Sequence, residues 1–352
     1  MSNKRILFAR GSLAYQQWGS PTSTKKVLAI HGWLDNSNSF NYLGPYLAKL
    51  GYHVVAYDNI GHGYSSHETA SSNNYSVAPY VGRCRAIMDA LEWDKCNIVG
   101  HSLGASLAVL FAGSHPDRVQ RLAAIDGFSS PLTQPAERAA VNLRKAIDME
   151  VNYQIKQRTR DGPKLYDTLQ NAILARINSV SSYPGEQTLS VAAATTLVAR
   201  GVSLSQSASI TELNLDSESG RKPQIAHHGE DEYVQDMTDL ESGPVYFRHD
   251  TKLFLPAHSH FTKYQVMIFI MYTPLHFSII RSIYHFVIAL SLTFSFLRVS
   301  VSHIIQNVFI FQMRSFIEAI KAETLIITAG DKFNTVGEER RQEERSQEER
   351  IE

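Results

Sequence analysis

The first third of the chain alternates short apolar runs with longer amphipathic ones. Residues 12–19 (SLAYQQWG) alternate as an early strand. Residues 25–33 (KKVLAIHGW) form an apolar run that ends at His31-Gly32, as a buried parallel strand would. Residues 42–51 (YLGPYLAKLG) are amphipathic and stop at Gly51, the pattern of a helix with a glycine end. The alternation continues through strand-then-turn YHVVAYDNIGHG, helix VAPYVGRCRAIMDALEW, strand KCNIVGHS, helix LGASLAVLFAGSHPD and strand VQRLAAIDGF. Strands and helices of these lengths, taken in turn, predict an α/β domain with a mostly parallel sheet covered on both faces.

The pattern then changes. From about Gln134 to Gly201 the strand signal vanishes, and three helical stretches predict a cap over the mouth of the sheet, inserted after the sixth strand. The expected organisation is an N-terminal core over 1–132, a helical cap over 133–203, and a flexible, polar, acidic insertion over 204–243. The core returns over 244–265, and an anomalous apolar segment spans 266–312. A late core helix and strand (AETLIITAG) follow over 313–334, and a charged low-complexity tail over 335–352.

Size and charge narrow the function. The chain has 352 residues, 43% of them hydrophobic, enough for one large domain with a lid. Its 34 basic residues balance its 34 acidic ones, so no global field favours nucleic acid. Cys84 and Cys96 do not suggest a disulfide framework and read as reduced thiols. The first residues carry neither an apolar h-region nor a small-residue cleavage site, and the last three are not a peroxisomal address, so a cytoplasmic protein is expected. Nothing in the sequence fixes an oligomeric state.

Chemistry concentrates in residues 97–106, NIVGHSLGAS. Gly100-His101-Ser102-Leu103-Gly104 reads G-x-S-x-G between an apolar strand and a small-residue helix. The sharp turn needs glycine because side chains would collide with neighbouring backbone, and it would lift Ser102 clear at the C-terminal edge of the strands. His31-Gly32-Trp33 follows the earlier strand and can aim the Trp33 N–H at the same place. The Leu103 N–H would be its partner in an oxyanion hole. His31 itself reads as a packed histidine holding that loop. Asp58, in Asp58-Asn59-Ile60-Gly61-His62-Gly63, reads as a support for a glycine-rich turn by local hydrogen bonds, not as a catalytic acid.

HGWLDNSNSF, YDNIGHGYSS, GHSLGA and SHPDRVQRLAAIDGF, in this order, resemble the α/β-hydrolase fold family, and HGWLDN with DNIGHGYSSH resembles its serine hydrolase-like branch. The resemblance runs over about residues 12–128, weakens through the cap and returns at RHDTKLFLP and SFIEAIKAETLIITAGD. It implies a serine–acid–histidine triad acting on a small-molecule ester-type substrate, with no metal or organic cofactor. Ser102 matches the nucleophile, and Trp33 and Leu103 match the oxyanion donors. Two acids stay open. Asp331 lies near the expected place, although Phe333 occupies the commonest acid position; Asp126, after LAAI, is the alternative.

The histidine departs from the family pattern. It should follow the acid, but the last histidine is His303 and none follows Asp331. His258 and His260 precede the late strand, and His227 and His228 fall in the acidic insertion. No Cys or carboxylate spacing around these pairs supports a metal site. Impaired activity is therefore expected, with two rivals: an inactive hydrolase fold kept for binding, and a membrane-associated interaction protein. Membrane contact is expected only through 266–312, where SIYHFVIALSLTFSFL is shorter than the roughly 20 apolar residues of a span. The segment also reads as a translated intron. Val266-Met267 can be encoded with a GT edge and Phe311-Gln312 with an AG edge, and its removal joins HFTKYQ to MRSFIEAIKAETLIITAGD as one helix leading into a strand.

Overall fold

The computed structural model describes residues 4–8, 11–68, 75–127, 139–159, 162–180, 188–205, 224–225, 237–255 and 319–327. The core strands are β1 (Lys4–Phe8), β2 (Gly11–Trp18), β3 (Lys26–Ile30), β4 (His53–Tyr57), β5 (Cys96–His101) and β6 (Val119–Ile125). Between and after them come α1 (Leu43–Lys49), α2 (Val77–Ala90) and α3 (Leu103–Ser114). Pro45 and Pro79 each lie in the first turn of their helix, where a missing N–H costs no intrahelical bond. The cap helices are α4 (Ala139–Thr159), α5 (Leu169–Ser179) and α6 (Val191–Gly201). Thr168 and Ser190 start α5 and α6 by accepting the N–H groups of Asn171 and Ala193.

Two residues, Gln224–Ile225 (β9), pair with β1, and Glu323–Ile327 (β11) pairs with β6. Among the described residues the main sheet runs β11-β6-β5-β3-β4-β2-β1-β9. The five strands from β11 to β4 are parallel, and β2, β1 and β9 continue the sheet antiparallel. Strand alternation sorts the core into two layers. Leu28, Ile30, Val55, Tyr57 and Ile98 pack with Tyr80, Ile87, Leu107 and Phe111 from α2 and α3. Val27, Ala29, Val54, Ala56 and Val99 face the other way, against Phe40, Leu43 and Leu47.

Four features differ from the sequence reading. β1 is a strand that the N-terminal pattern did not announce, formed by pairing with β2. The cap is not purely helical: Leu165–Tyr166 (β7), Val202–Leu204 (β8) and Val245–Phe247 (β10) form a small antiparallel sheet beside α5 and α6. Strands this short carry no periodicity of their own. β9 falls inside the stretch read as an acidic insertion. Finally, β11 was expected as a core strand. It joins the sheet in parallel register, but all five of its residues are exposed at the edge. Its apolar composition reports strand propensity, while burial depends on what packs over it.

Candidate active site

The parallel registers bring the functional loops together. Ile30 of β3 pairs with Gly100 of β5, so Gly32 and Ser102 leave their strands side by side. The chain passes from β3 to β4 on one flank and to β5 on the other, and ligand sites in open α/β sheets lie at such reversals.

Ser102 sits between β5 and α3 at φ 52° and ψ −116°, a conformation rarely taken by a residue with a side chain. Backbone packing enforces it. A Cβ on Gly104 would lie 2.1 Å from the Ile30 carbonyl oxygen, and one on Gly100 would lie 2.3 Å from the Gly104 carbonyl oxygen. The Ser102 N–H donates to the Ile125 carbonyl at 2.9 Å, and a Cβ on Gly127 would meet the Ser102 oxygen at 2.5 Å. The strand-to-helix turn is thus closed in by β3 and β6 on its two sides. Leu103 is the first residue of α3, so its N–H has no acceptor within the helix.

Gly32 faces this turn. A Cβ there would lie 3.1 Å from His101 Nδ1, 3.3 Å from Ser102 Cβ and 3.4 Å from Asp35 Oδ2. The next residues turn sharply: the Asp35 N–H donates to the Gly32 carbonyl at 3.3 Å, with Leu34 at φ 60°. His31 is fully buried, donates through Nδ1 to the Gly32 carbonyl at 2.7 Å and accepts the Asn59 N–H at Nε2, 2.8 Å away. His62 donates through Nδ1 to the Ile60 carbonyl and accepts the Leu34 N–H at Nε2. Burial lowers the pKa of both rings against the opposing pull of Asp58, and of His62 most strongly. Both are neutral imidazoles with both nitrogens engaged.

Asp58 is fully buried and takes contacts from three directions. Its oxygens accept the Ser37 N–H at 2.8 Å, the Tyr64 N–H at 2.9 Å and the Arg200 guanidinium at 2.9 Å. Burial alone would raise its pKa; the charge and hydrogen bonds of Arg200 outweigh that and hold the carboxyl below its ordinary value. Arg200 comes from α6, stacks over Tyr64 and is itself buried. The sequence reading of a local turn support missed this cap residue, which is some 140 positions away.

More of the cap lands on the end of the Trp33 turn and on the segment just after it. Arg176 of α5 donates to Asp35 at 2.7 Å; Asn36 and Asn38 donate to the carbonyls of Leu197 and Thr196 at 2.9 and 2.7 Å. Between them lies a small cleft, partly open to solvent, lined by Leu34, Asp35, Arg176, Val198, Phe247 and His249 among others. His249 packs on the rings of Phe247 and Phe254. Burial, with a contribution from His67, pushes its pKa down to about 4. Arg176 carried no motif in the sequence; Asp35, Asn36 and His249 lay within HGWLDN and RHDTKLFLP but had no role assigned, because their partners are set only in space.

The candidate acids are placed differently. Asp126 follows β6 at φ 50°, its N–H bonded to the Ile327 carbonyl at 2.7 Å, one residue before the glycine that abuts Ser102. Asp331 lies outside the described residues, as do His227, His228, His258, His260, His303, the 266–312 segment and the charged tail. His101 is partly exposed, with Nδ1 3.9 Å from Asp35. Among the described residues no three side chains are grouped to hold a metal, and no helix is long and apolar enough to cross a membrane.

The parallel sheet, the turn at Ser102 and the cap above it define the α/β-hydrolase fold, and the model of that fold matches residues 25–172. A serine hydrolase-like protein of Dictyostelium discoideum is 40% identical over 114 residues, 32% of either chain. The human serine hydrolase-like protein is 31% identical over 186 residues, 52% of this chain and 89% of that one. A crystal structure of a hypothetical protein from Pseudomonas aeruginosa PAO1 superposes with a TM-score of 0.60 at 24% identity, over 98% of this chain and 87% of that one, a likeness of fold alone. The chain belongs to the serine hydrolase-like family. It spans about a third to a half of the length of several other curated relatives that it matches.

Proposed function

We propose that this chain has the site of a serine hydrolase for carboxylic-ester-type bonds of a small molecule. The observation that carries the reading is the positive-φ turn at Ser102, packed between backbone atoms and facing Gly32. In the proposed reaction Ser102 Oγ attacks the ester carbonyl carbon, and the carbonyl π electrons move onto oxygen. The Trp33 and Leu103 N–H groups would receive that charge; one such donor is worth about 100- to 1000-fold in rate. The serine proton passes to a base and then to the departing alcohol, leaving an acyl-serine that water hydrolyses. The acid supporting the base would be Asp331 or Asp126. No metal or organic cofactor enters.

A second reading has its own observation. The histidines packed around the Trp33 loop, His31 and His62, have both ring nitrogens engaged, and the chain carries no histidine after Asp331. A serine without a base is a weak nucleophile at neutral pH. We therefore propose impaired turnover for this chain, with a binding protein of hydrolase fold as the alternative. Buried free thiols at Cys84 and Cys96 support a reducing, cytoplasm-like setting.

The test is labelling of the full chain with a fluorophosphonate, whose phosphorus the serine oxygen attacks as fluoride leaves. Labelling that disappears in Ser102→Ala supports the hydrolase. Absence of labelling in the unaltered chain supports the binding protein.

A further inference from the structure

The turn that presents Trp33 is strained, and groups from outside it hold it. It closes by the Asp35 N–H to Gly32 bond, with φ positive at its third residue, Leu34, at 60°. A turn of this form favours glycine at that position. Leucine pays a conformational cost there, so neighbouring contacts must favour this shape over its alternatives.

Two such contacts come from opposite sides. From the core, His62 Nε2 accepts the Leu34 N–H at 3.1 Å, which fixes the central peptide of the turn. The His62 ring is anchored by donation to the Ile60 carbonyl at 3.0 Å, and it meets the Trp33 ring edge-on, with centroids 5.6 Å apart. From the cap, Arg176 grips the carboxylate of Asp35, the last residue of the turn, at 2.7 Å. Arg176 is braced by Ser179 at 2.9 Å.

We propose that His62 and Arg176 are positioning residues for the Trp33 N–H, clamping its turn from the core and from the cap. This rests on the reading of Trp33 as an oxyanion donor. It adds that the reactivity of Ser102 depends on where the cap sits, because the cap holds one end of the turn. Neither residue exchanges a proton with substrate; each acts through the backbone it holds.

The experiment pairs two readouts on the full chain: amide hydrogen exchange at Leu34, followed by NMR, and the rate at which a neutral fluorophosphonate labels Ser102. In His62→Leu the Leu34 amide should exchange about 2- to 10-fold faster, the loss of one net hydrogen bond. Labelling should slow by about 100-fold, as a misplacement near 1 Å would cause. His62→Gln should restore most of both, since its amide oxygen can accept the Leu34 N–H. Adding Leu34→Gly to His62→Leu should also restore labelling, because glycine takes the positive φ without strain. Loss of general core stability would not be rescued by a change in the turn. Arg176→Leu should speed Leu34 exchange and slow labelling by about tenfold, a smaller displacement from one end of the turn.

Unchanged Leu34 exchange in His62→Leu overturns the proposal. So does a labelling loss that neither His62→Gln nor Leu34→Gly returns. Should His62→Leu fail to fold, Arg176→Leu decides, and unaltered exchange with unaltered labelling overturns the clamp. If the unaltered chain takes no label, the serine hydrolase reading fails, and Leu34 exchange in the same variants still decides whether the clamp exists.

Discussion

Ser102 and Leu34 both hold a side chain at positive φ, at 52° and 60°, on neighbouring loops of one sheet edge. They are kept there by different means. The Ser102 turn is closed in by backbone: Gly100, Gly104 and Gly127 let carbonyls and helix approach within distances no Cβ would allow. The Leu34 turn is held by side chains, His62 beneath it and Arg176 on Asp35, with Asn36, Asn38 and the Asp58–Arg200 pair fastening the segment that follows. Backbone packing of this kind leaves no slack, because carbonyls and helix are already in contact. Side-chain ties reach across the chain and can be released one by one. The nucleophile turn is thus a fixture of the core, while the loop opposite it is built jointly by core and cap.

The strongest way to break the side-chain-held region is Arg200→Leu. It leaves the Asp58 carboxylate buried without its cation, and should cost about 3–5 kcal/mol in denaturant unfolding. Asp58→Asn added to it should recover part of that loss, since no unpaired charge then remains; strict additivity of the two changes would contradict the pairing. On the backbone-held side, Gly104→Ala places a Cβ against the Ile30 carbonyl and should cost about 3 kcal/mol. Its fluorophosphonate labelling should fall even where the variant is folded. A variant as stable and as reactive as the parent would mean that the turn tolerates a side chain.

Acid should loosen the side-chain-held region first. His31 and His62 have folded pKa values below the unfolded value of about 6.5, so the unfolded chain binds more protons as pH falls through that value. Their contribution is fully present above about pH 6.5 and is lost toward their folded pKa values. Asp58, depressed below the ordinary carboxylate value, withdraws its own contribution at still lower pH. The thermal midpoint should therefore fall between about pH 7 and 5, and His62→Gln should flatten that decline. An unchanged slope would show that His62 is not neutral in the fold. The smallest effect is expected from Leu34→Gly alone, a change in stability within about 1 kcal/mol by thermal unfolding, as relief of strain offsets the freedom gained by the unfolded chain.

Much of the core was legible because its signals are local. The apolar runs of β3, β4, β5 and β6 and the helices between them follow from periodicity, and the glycines around Ser102 mark a turn that needs close backbone approach. Asp126 was legible as a strand-end residue. The partners of Asp58 were not, because Arg200 lies at the end of an ordinary amphipathic helix and meets its carboxylate only after the cap docks. The small sheet of β7, β8 and β10 was hidden for a related reason: strands of two or three residues gain their order from pairing, not from a pattern of their own.

The sequence by itself determined the order of strands and helices from β2 to β6, the family, and the turn that displays Ser102, because hydrophobic period is a local signal and glycines at fixed spacing mark close backbone approach whatever backbone they meet. Only the tertiary structure decided which side chains secure the loop opposite that serine. His62, Asp35, Arg176 and Arg200 become neighbours through strand register and cap docking, and hydrogen bonds and buried charges act only at the contact distances that folding creates.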